Sequence, residues 1–535
     1  MIWFLRDIDL LSVLARAATL AFEALLLGGV AFLLAVVRPA RASGAVEDLC
    51  RRGIRMAALA FVVGQLLLVC FSGAILMSGS DLTFRDVTTT SFFRADLLGI
   101  LFAIGLWICA RFKNNIATVG LFPLSLLLLA TTVSTSHAAA RIDHRVLLAV
   151  LTAAHHLGTA AWIGAMAYLL TSLGRVEDSS EARQLTQRYS RMALAGAATL
   201  VLAGVGMAWF YVGSWSGMYT TAYGIMLAAK IFLLLAMITL GAGNWFLVRR
   251  LASDPEPLLV RLRRVVEAEV CLGFLAVLTA ASLTAQAPAI DVNAQDRLTS
   301  HEIYVRLHPE TPRMSSPPLA ALAAPSSLAV AVQDSQFVAS VGSDDTDRAW
   351  SEYNHHWAGL IVLIAGLLAL LSRHRTMRWA RFWPLSFAGL AVFILLRADP
   401  ENWPLGPRPF WQSFAAPDVL QHRVGALLIV VFAAFECAVQ AGKLRARWAS
   451  YVFPAMCALG AALLLTHEHS AKDVKESMLA ELSHTPVALL GITAGCSRWL
   501  ELRLPRSRMA SITSYLWPLC LALVGIVLLN YRELP

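Results

Sequence analysis

The chain has 535 residues, of which 58% are hydrophobic and only 15% charged. Soluble domains run nearer about 45–50% apolar and about 25% charged, so a soluble globular enzyme is excluded. The formal charge of +9 sits mostly in short loops between apolar runs, which makes it a signal of membrane orientation rather than of nucleic-acid binding.

A bilayer core of about 30 Å takes roughly 20 apolar residues as helix. Fourteen runs meet that need in chain order: 11–37, 54–79, 93–111, 115–135, 146–173, 190–213, 222–248, 263–286, 355–372, 379–397, 419–440, 446–466, 483–500 and 511–530. The predicted fold is all-α, a polytopic membrane helix bundle. It divides into an eight-helix block over 1–286, a hydrophilic loop over 287–350 and a six-helix block over 351–535. The first run is too long for a signal-peptide core and no basic segment precedes it, so the A-x-A at 40–42 reads as loop rather than cleavage site. The long loop carries Pro309, Pro312, Pro317, Pro318, Pro325 and an acidic SDDTD run. It is too polar to cross, and partial disorder is expected.

Lys and Arg orient the bundle. Of the 44, 27 fall in or beside alternate loops beginning with 38–55, against 14 in the other loops and the termini. The remaining three, Arg16, Lys230 and Arg423, fall inside spans. The basic loops are expected in the cytoplasm and both termini in the periplasm, in a bacterial inner membrane. None of the eight cysteines lies in a loop expected outside, and no C-x-x-C occurs. No disulfide framework is therefore predicted.

The thirteen histidines are unevenly placed. Under this topology His374 alone is in a cytoplasmic loop. His137, His144, His301, His308, His467 and His469 lie in outside loops, and His355, His356, His422 and His484 at outside helix ends. Imidazole is the commonest metal ligand and suits copper, zinc and iron. Histidines also simply favour polar edges, so the asymmetry alone does not decide the matter.

His155 and His156 lie inside the fifth span, HHLGTAAWIGAM. On a regular helix His155, Thr159, Trp162 and Met166 share one face, beside a small-residue stripe of Ala154, Gly158, Ala161 and Ala165. His155 is expected roughly 14 Å deep, where an ionisable side chain is a functional candidate by default. The plainer reading is a neutral histidine bonded to a neighbouring helix. Soft sulfur is also present: Cys70 with Met77 on one face, and Met207, Met218 and Met226 near the outside ends of spans six and seven. Thioethers favour Cu(I), although Met and Cys also fill apolar helices without any metal. In the second block THEHS places His467 and His469 in one short loop, with His484 opening the next helix, and His422 nearby at the outside surface. The candidate metal residues are thus His137, His155, His156, Met166, His422, His467, His469, His484, Met77 and Met207. Glu23, Glu269 and Glu436 are intramembrane carboxylates that require partners.

Five stretches carry a family likeness: SHAAARIDH (136–144), HHLGTAAWIGAMAYLL (155–170), YSRMALAGAATLVLAGVGMAW (189–209), TAYGIMLAAKIFLLLAMITLGAGNW (221–245) and LRRVVEAEVCLGFLAVLTAASL (262–283). In this order they resemble the copper-resistance protein D (CopD) family of bacterial inner-membrane proteins, in a long form with an extra C-terminal block. The resemblance touches His137, His155, His156, Trp162, Tyr223, Lys230, Asn244 and Glu269. It implies copper as cargo, moved from periplasm to cytoplasm, beside a separate periplasmic copper carrier of the CopC type.

No Walker A motif and no DKTG phosphorylation loop is visible, so no enzymatic activity is expected. Transport would be passive or driven by an ion or by the membrane potential. Two alternatives stay open. One is a b-type haem electron-transfer protein, with His155 or His156 paired to a histidine such as His422. The other is a scaffold that binds copper without moving it.

Overall fold

The computed structural model describes residues 8–79, 83–250, 255–318, 341–399, 402–414, 417–465, 474–504 and 507–533. With no water in a bilayer core, backbone groups must be satisfied within their own segment, so apolar runs of this length fold as helices. Eleven helices among the described residues are long and apolar enough to cross a membrane. Fourteen crossings were expected. Two of the other three, Leu385–Arg397 and Ala449–Leu464, are apolar but shorter. The third, 483–500, lies within the helix Val474–Arg503, which is long but more polar.

Contacts divide the chain into two units, residues 1–297 with 465–468, and residues 298–464 with 469–535. In the first unit the helices are α1 (Ile8–Phe32), α2 (Gly44–Gly79), α3 (Phe84–Thr89), α4 (Ser91–Cys109), α5 (Asn115–Ser134), α6 (His137–Ala140), α7 (Arg145–Thr159), α8 (Ala165–Ser172), α9 (Ser179–Val212), α10 (Gly217–Thr220), α11 (Ala222–Arg250) and α12 (Pro255–Ala285). The spans of α1 and α12 are the two that are mostly buried, 61% and 67%, so they form the centre of the unit. A π-helical turn over Ala160–Gly164 joins α7 to α8.

Glycines set how closely these helices approach. A Cβ on Gly28 of α1 would lie 2.5 Å from the Ala160 carbonyl oxygen, and one on Gly164 would overlap the Ala24 carbonyl. On the other side, a Cβ on Gly158 would lie 2.6 Å from the Gly196 carbonyl oxygen of α9. Span five is thereby clamped between α1 and α9.

The second unit holds α13 (Ser300–Leu307), α14 (Val341–Leu371), α15 (Leu385–Arg397), α16 (Phe410–Ser413), α17 (Pro417–Gln440), α18 (Val452–Leu464), α19 (Val474–Arg503) and α20 (Arg508–Leu529). Its core is aromatic, with Trp383, Phe432, Phe453 and Trp517 packed together. Residues 298–318 of the polar loop form an ordered strap on this unit. Thr299 and Glu302 make a capping box at the start of α13. That Thr299 backbone bond, aided by Lys475, holds the Glu302 carboxyl below its usual range. Lys475 pairs with Glu302 at 3.0 Å and Arg532 with Glu310 at 2.8 Å. Arg306 donates to Ser483 Oγ at 3.0 Å, and Trp357 donates to the Met314 carbonyl at 3.1 Å. This much of the loop is ordered because caps and ion pairs supply what its composition lacks in apolar surface.

Candidate functional site: a histidine-lined cavity

The first unit encloses a cavity of about 480 Å³. Along α7 and the π-turn its wall runs from Thr152 to Ile163, about 17 Å of helix at 1.5 Å per residue. His137, His155, His156 and Met207 all line it, together with Arg16, Glu23, Tyr211, Tyr223, Lys230 and Met237.

Each histidine is oriented by a bond at one ring nitrogen. His155 Nδ1 donates to the Leu200 carbonyl at 3.1 Å. His137 Nε2 donates to the Thr284 carbonyl at 3.0 Å. His156 Nδ1 lies 3.3 Å from both carboxylate oxygens of Glu23, which is 2% exposed. A ring that gives its proton to a carbonyl or carboxylate keeps a lone pair on the opposite nitrogen, the usual way in which a ligating imidazole is held. Thr152 Oγ1 bonds the Leu148 carbonyl at 2.8 Å and lies 3.5 Å from Met207 Sδ. Among the described residues no three His, Cys, Asp or Glu side chains are close enough to cage a metal ion. The cavity therefore offers imidazole, thioether and carboxylate donors in dispersed positions.

The π-turn corrects the expected face. Thr159 and His155 line the cavity, but Trp162 and Met166 do not. The extra residue of a π-turn rotates everything after it. Trp162 instead donates to Glu269 Oε1 at 3.0 Å, while Asn244 donates to Glu269 Oε2 at 2.6 Å. Tyr189 closes the network by donating to the Trp162 carbonyl at 2.8 Å. Met166 is 1% exposed and belongs to the core. Of the expected small-residue stripe, Gly158 and Ala161 do face α9, whereas Ala165 is turned to Gly28 of α1.

The other candidates are placed elsewhere. Met77 is 40% exposed on α2 and does not line the cavity. His422, in the second unit, holds Asp399 at 2.7 Å. His484, also in the second unit, stands beside His355 rather than the cavity residues. His467 and His469 lie outside the described residues. Glu436 takes a bond from Gln440 at 2.7 Å, and Arg423 donates to the Leu395 and Trp403 carbonyls. The pairing of Glu23 with His156 links residues 133 apart, and no spacing in the sequence signals it.

Residues 183–283 match the family described as CopD, copper resistance protein D. They form a CopD-family domain. The domain takes in most of α9, all of α11 and most of α12, and contributes Leu200, Met207, Tyr211, Tyr223, Lys230 and Met237 to the cavity wall. His137, His155, His156 and Glu23 lie before the matched stretch. The copper transport protein CutJ of Bacillus subtilis (strain 168) is 27% identical over 179 residues, which is 32% of this chain and 32% of that protein. The chain thus spans about a third of the length of the curated relative it matches. No solved structure matches the chain.

Proposed function

We propose that the protein is an inner-membrane copper transporter whose first unit passes copper from periplasm to cytoplasm. One observation carries this reading: His137, His155, His156 and Met207 line a single cavity whose wall is built partly from the CopD-family domain. Imidazole and thioether are the donors that suit copper. Their dispersed placement supports conduction, since a path needs sites weak enough to release what they take. The donor at the periplasmic side is a separate carrier of the CopC type.

The driving force in this reading is the membrane potential. One positive charge moving inward across 100 mV releases about 2.3 kcal/mol. Purified protein in liposomes is expected to take up copper faster than empty liposomes, and faster again with the interior negative. No uptake under either condition would remove transport and leave a copper-binding scaffold. A strong Soret band in the purified protein would instead favour haem.

The direction depends on the topology, which we infer to be fourteen crossings with both termini in the periplasm. Reporter fusions after residues 112 and 376 should then give cytoplasmic signals, and a fusion after 320 a periplasmic one. Reversed signals would turn the cavity's His137 end toward the cytoplasm.

A further inference from the structure

A second histidine cluster, made only of residues of the second unit, plays no part in the cavity. Tyr531, just beyond α20, lies flat on the His355 ring of α14, with 3.8 Å between centroids and 13° between planes. His484 of α19 stands edge-on to both rings, 6.0 Å from each. Arg306 of the strap lies over the Tyr531 ring at 4.3 Å. Ser351 Oγ and Tyr531 OH both donate to Glu533 Oε1, at 2.5 and 3.0 Å. Burial pushes the Tyr531 phenol up to about 12, so it remains a neutral stacking platform at physiological pH.

We propose that His355 and His484 form a two-imidazole site for a soft monovalent metal ion, Cu(I), on the second unit. The tautomers suit it. His355 Nδ1 donates to the Ser351 carbonyl at 2.8 Å and His484 Nδ1 to the Ala480 carbonyl at 2.7 Å. A carbonyl can only accept, so the proton of each neutral ring is on Nδ1 and the lone pair is on Nε2. Both rings are therefore held in the way ligating imidazoles are held.

The spacing suits it as well. A metal about 2.0 Å from a ring nitrogen lies about 3 Å from that ring's centroid. Two imidazoles sharing one ion in a nearly linear arrangement then have centroids about 6 Å apart, and the observed separation is 6.0 Å. Two ligands are too few for zinc, which takes four, but they satisfy Cu(I). Surrounding charge points the same way. Glu352 and Glu533 are offset by Arg306, Arg313 and Arg532, through Arg313–Glu352 at 3.3 Å and the strap contacts above, which disfavours a divalent ion. Both rings are only partly buried, so an ion can reach them. His356, next in sequence, is excluded. It is fully buried, with Nδ1 accepting from the Arg313 backbone at 2.7 Å and Nε2 donating to the Tyr531 carbonyl at 2.9 Å.

This site goes beyond the transport reading and stands or falls separately. The test uses the full chain carrying His155→Ala and His156→Ala, titrated with Cu(I) buffered by bicinchoninate under ascorbate. That protein is expected to hold a Cu(I) equivalent that disappears with either His355→Gln or His484→Gln, and the two together should remove no more than either alone. X-ray absorption of the loaded protein should show the near-edge feature of two-coordinate Cu(I), lost in the same variants. Folding is checked by placing each Gln variant in the otherwise unaltered chain and confirming that it still binds copper at the cavity. Cu(I) stoichiometry and affinity unchanged by both variants, or no Cu(I) bound before they are introduced, would overturn the proposal.

Discussion

Replacing both His155 and His156 with Ala is expected to abolish copper uptake while the protein still inserts and folds in the membrane. Adjacent helical residues point about 100° apart, yet both rings reach the same cavity. Each single variant should leave one imidazole in place and reduce uptake rather than end it. The two singles should differ in stability. His155→Ala frees a backbone carbonyl at Leu200, whereas His156→Ala strips the partner from Glu23, which is 2% exposed. An uncompensated buried charge costs about 3–5 kcal/mol, so His156→Ala should also lower the thermal midpoint. His156→Gln retains a hydrogen-bond donor and separates the two effects. Normal uptake by the double variant in liposomes would show that the cavity histidines are structural.

The second large effect is expected at Gly164. A methyl group there meets the Ala24 carbonyl of α1, backbone that cannot step aside alone. Overpacking of this kind typically costs about 1–3 kcal/mol, and here it would also part span five from α1. Gly243, on α11, is the control, because a Cβ there meets nothing within 4 Å. Helix propensity favours Ala over Gly by about 1 kcal/mol. Gly164→Ala should therefore lower the unfolding midpoint in detergent while Gly243→Ala leaves it unchanged or raises it. Equal midpoints would mean that the α1 contact is not as tight as described.

The hydropathy of the chain makes its class readable without a structure. Apolar runs long enough to span dictate helices, and the helices are there. His137, His155, His156 and Met207 were also legible, because an imidazole or thioether deep in an apolar run needs an explanation. What was not legible depends on distance along the chain or on a local irregularity. Nothing in the residues around Glu23 announces His156. Nothing in AAWIG announces a π-turn, so extrapolated periodicity put Met166 beneath His155 when it is in the core. The strap escaped notice for a related reason. Its order comes from Thr299, Glu302, Arg306 and Lys475 finding partners, whereas composition registers only that such residues are polar.

The π-turn also matters for how the chain tolerates insertion and deletion. A π-turn is an α-helix with one residue too many, kept in place where the surplus is useful. Deleting one residue within 160–164 would leave the hydropathy, length and composition of span five almost untouched, and by those measures the change is silent. It would nonetheless turn Trp162 and the rest of α8 by about 100° relative to His155. The hydrogen bond to Glu269 would be lost, and Met166 would be brought toward the cavity. A relative one residue shorter at this point would align well on either side of the gap and still present a different set of side chains to its cargo.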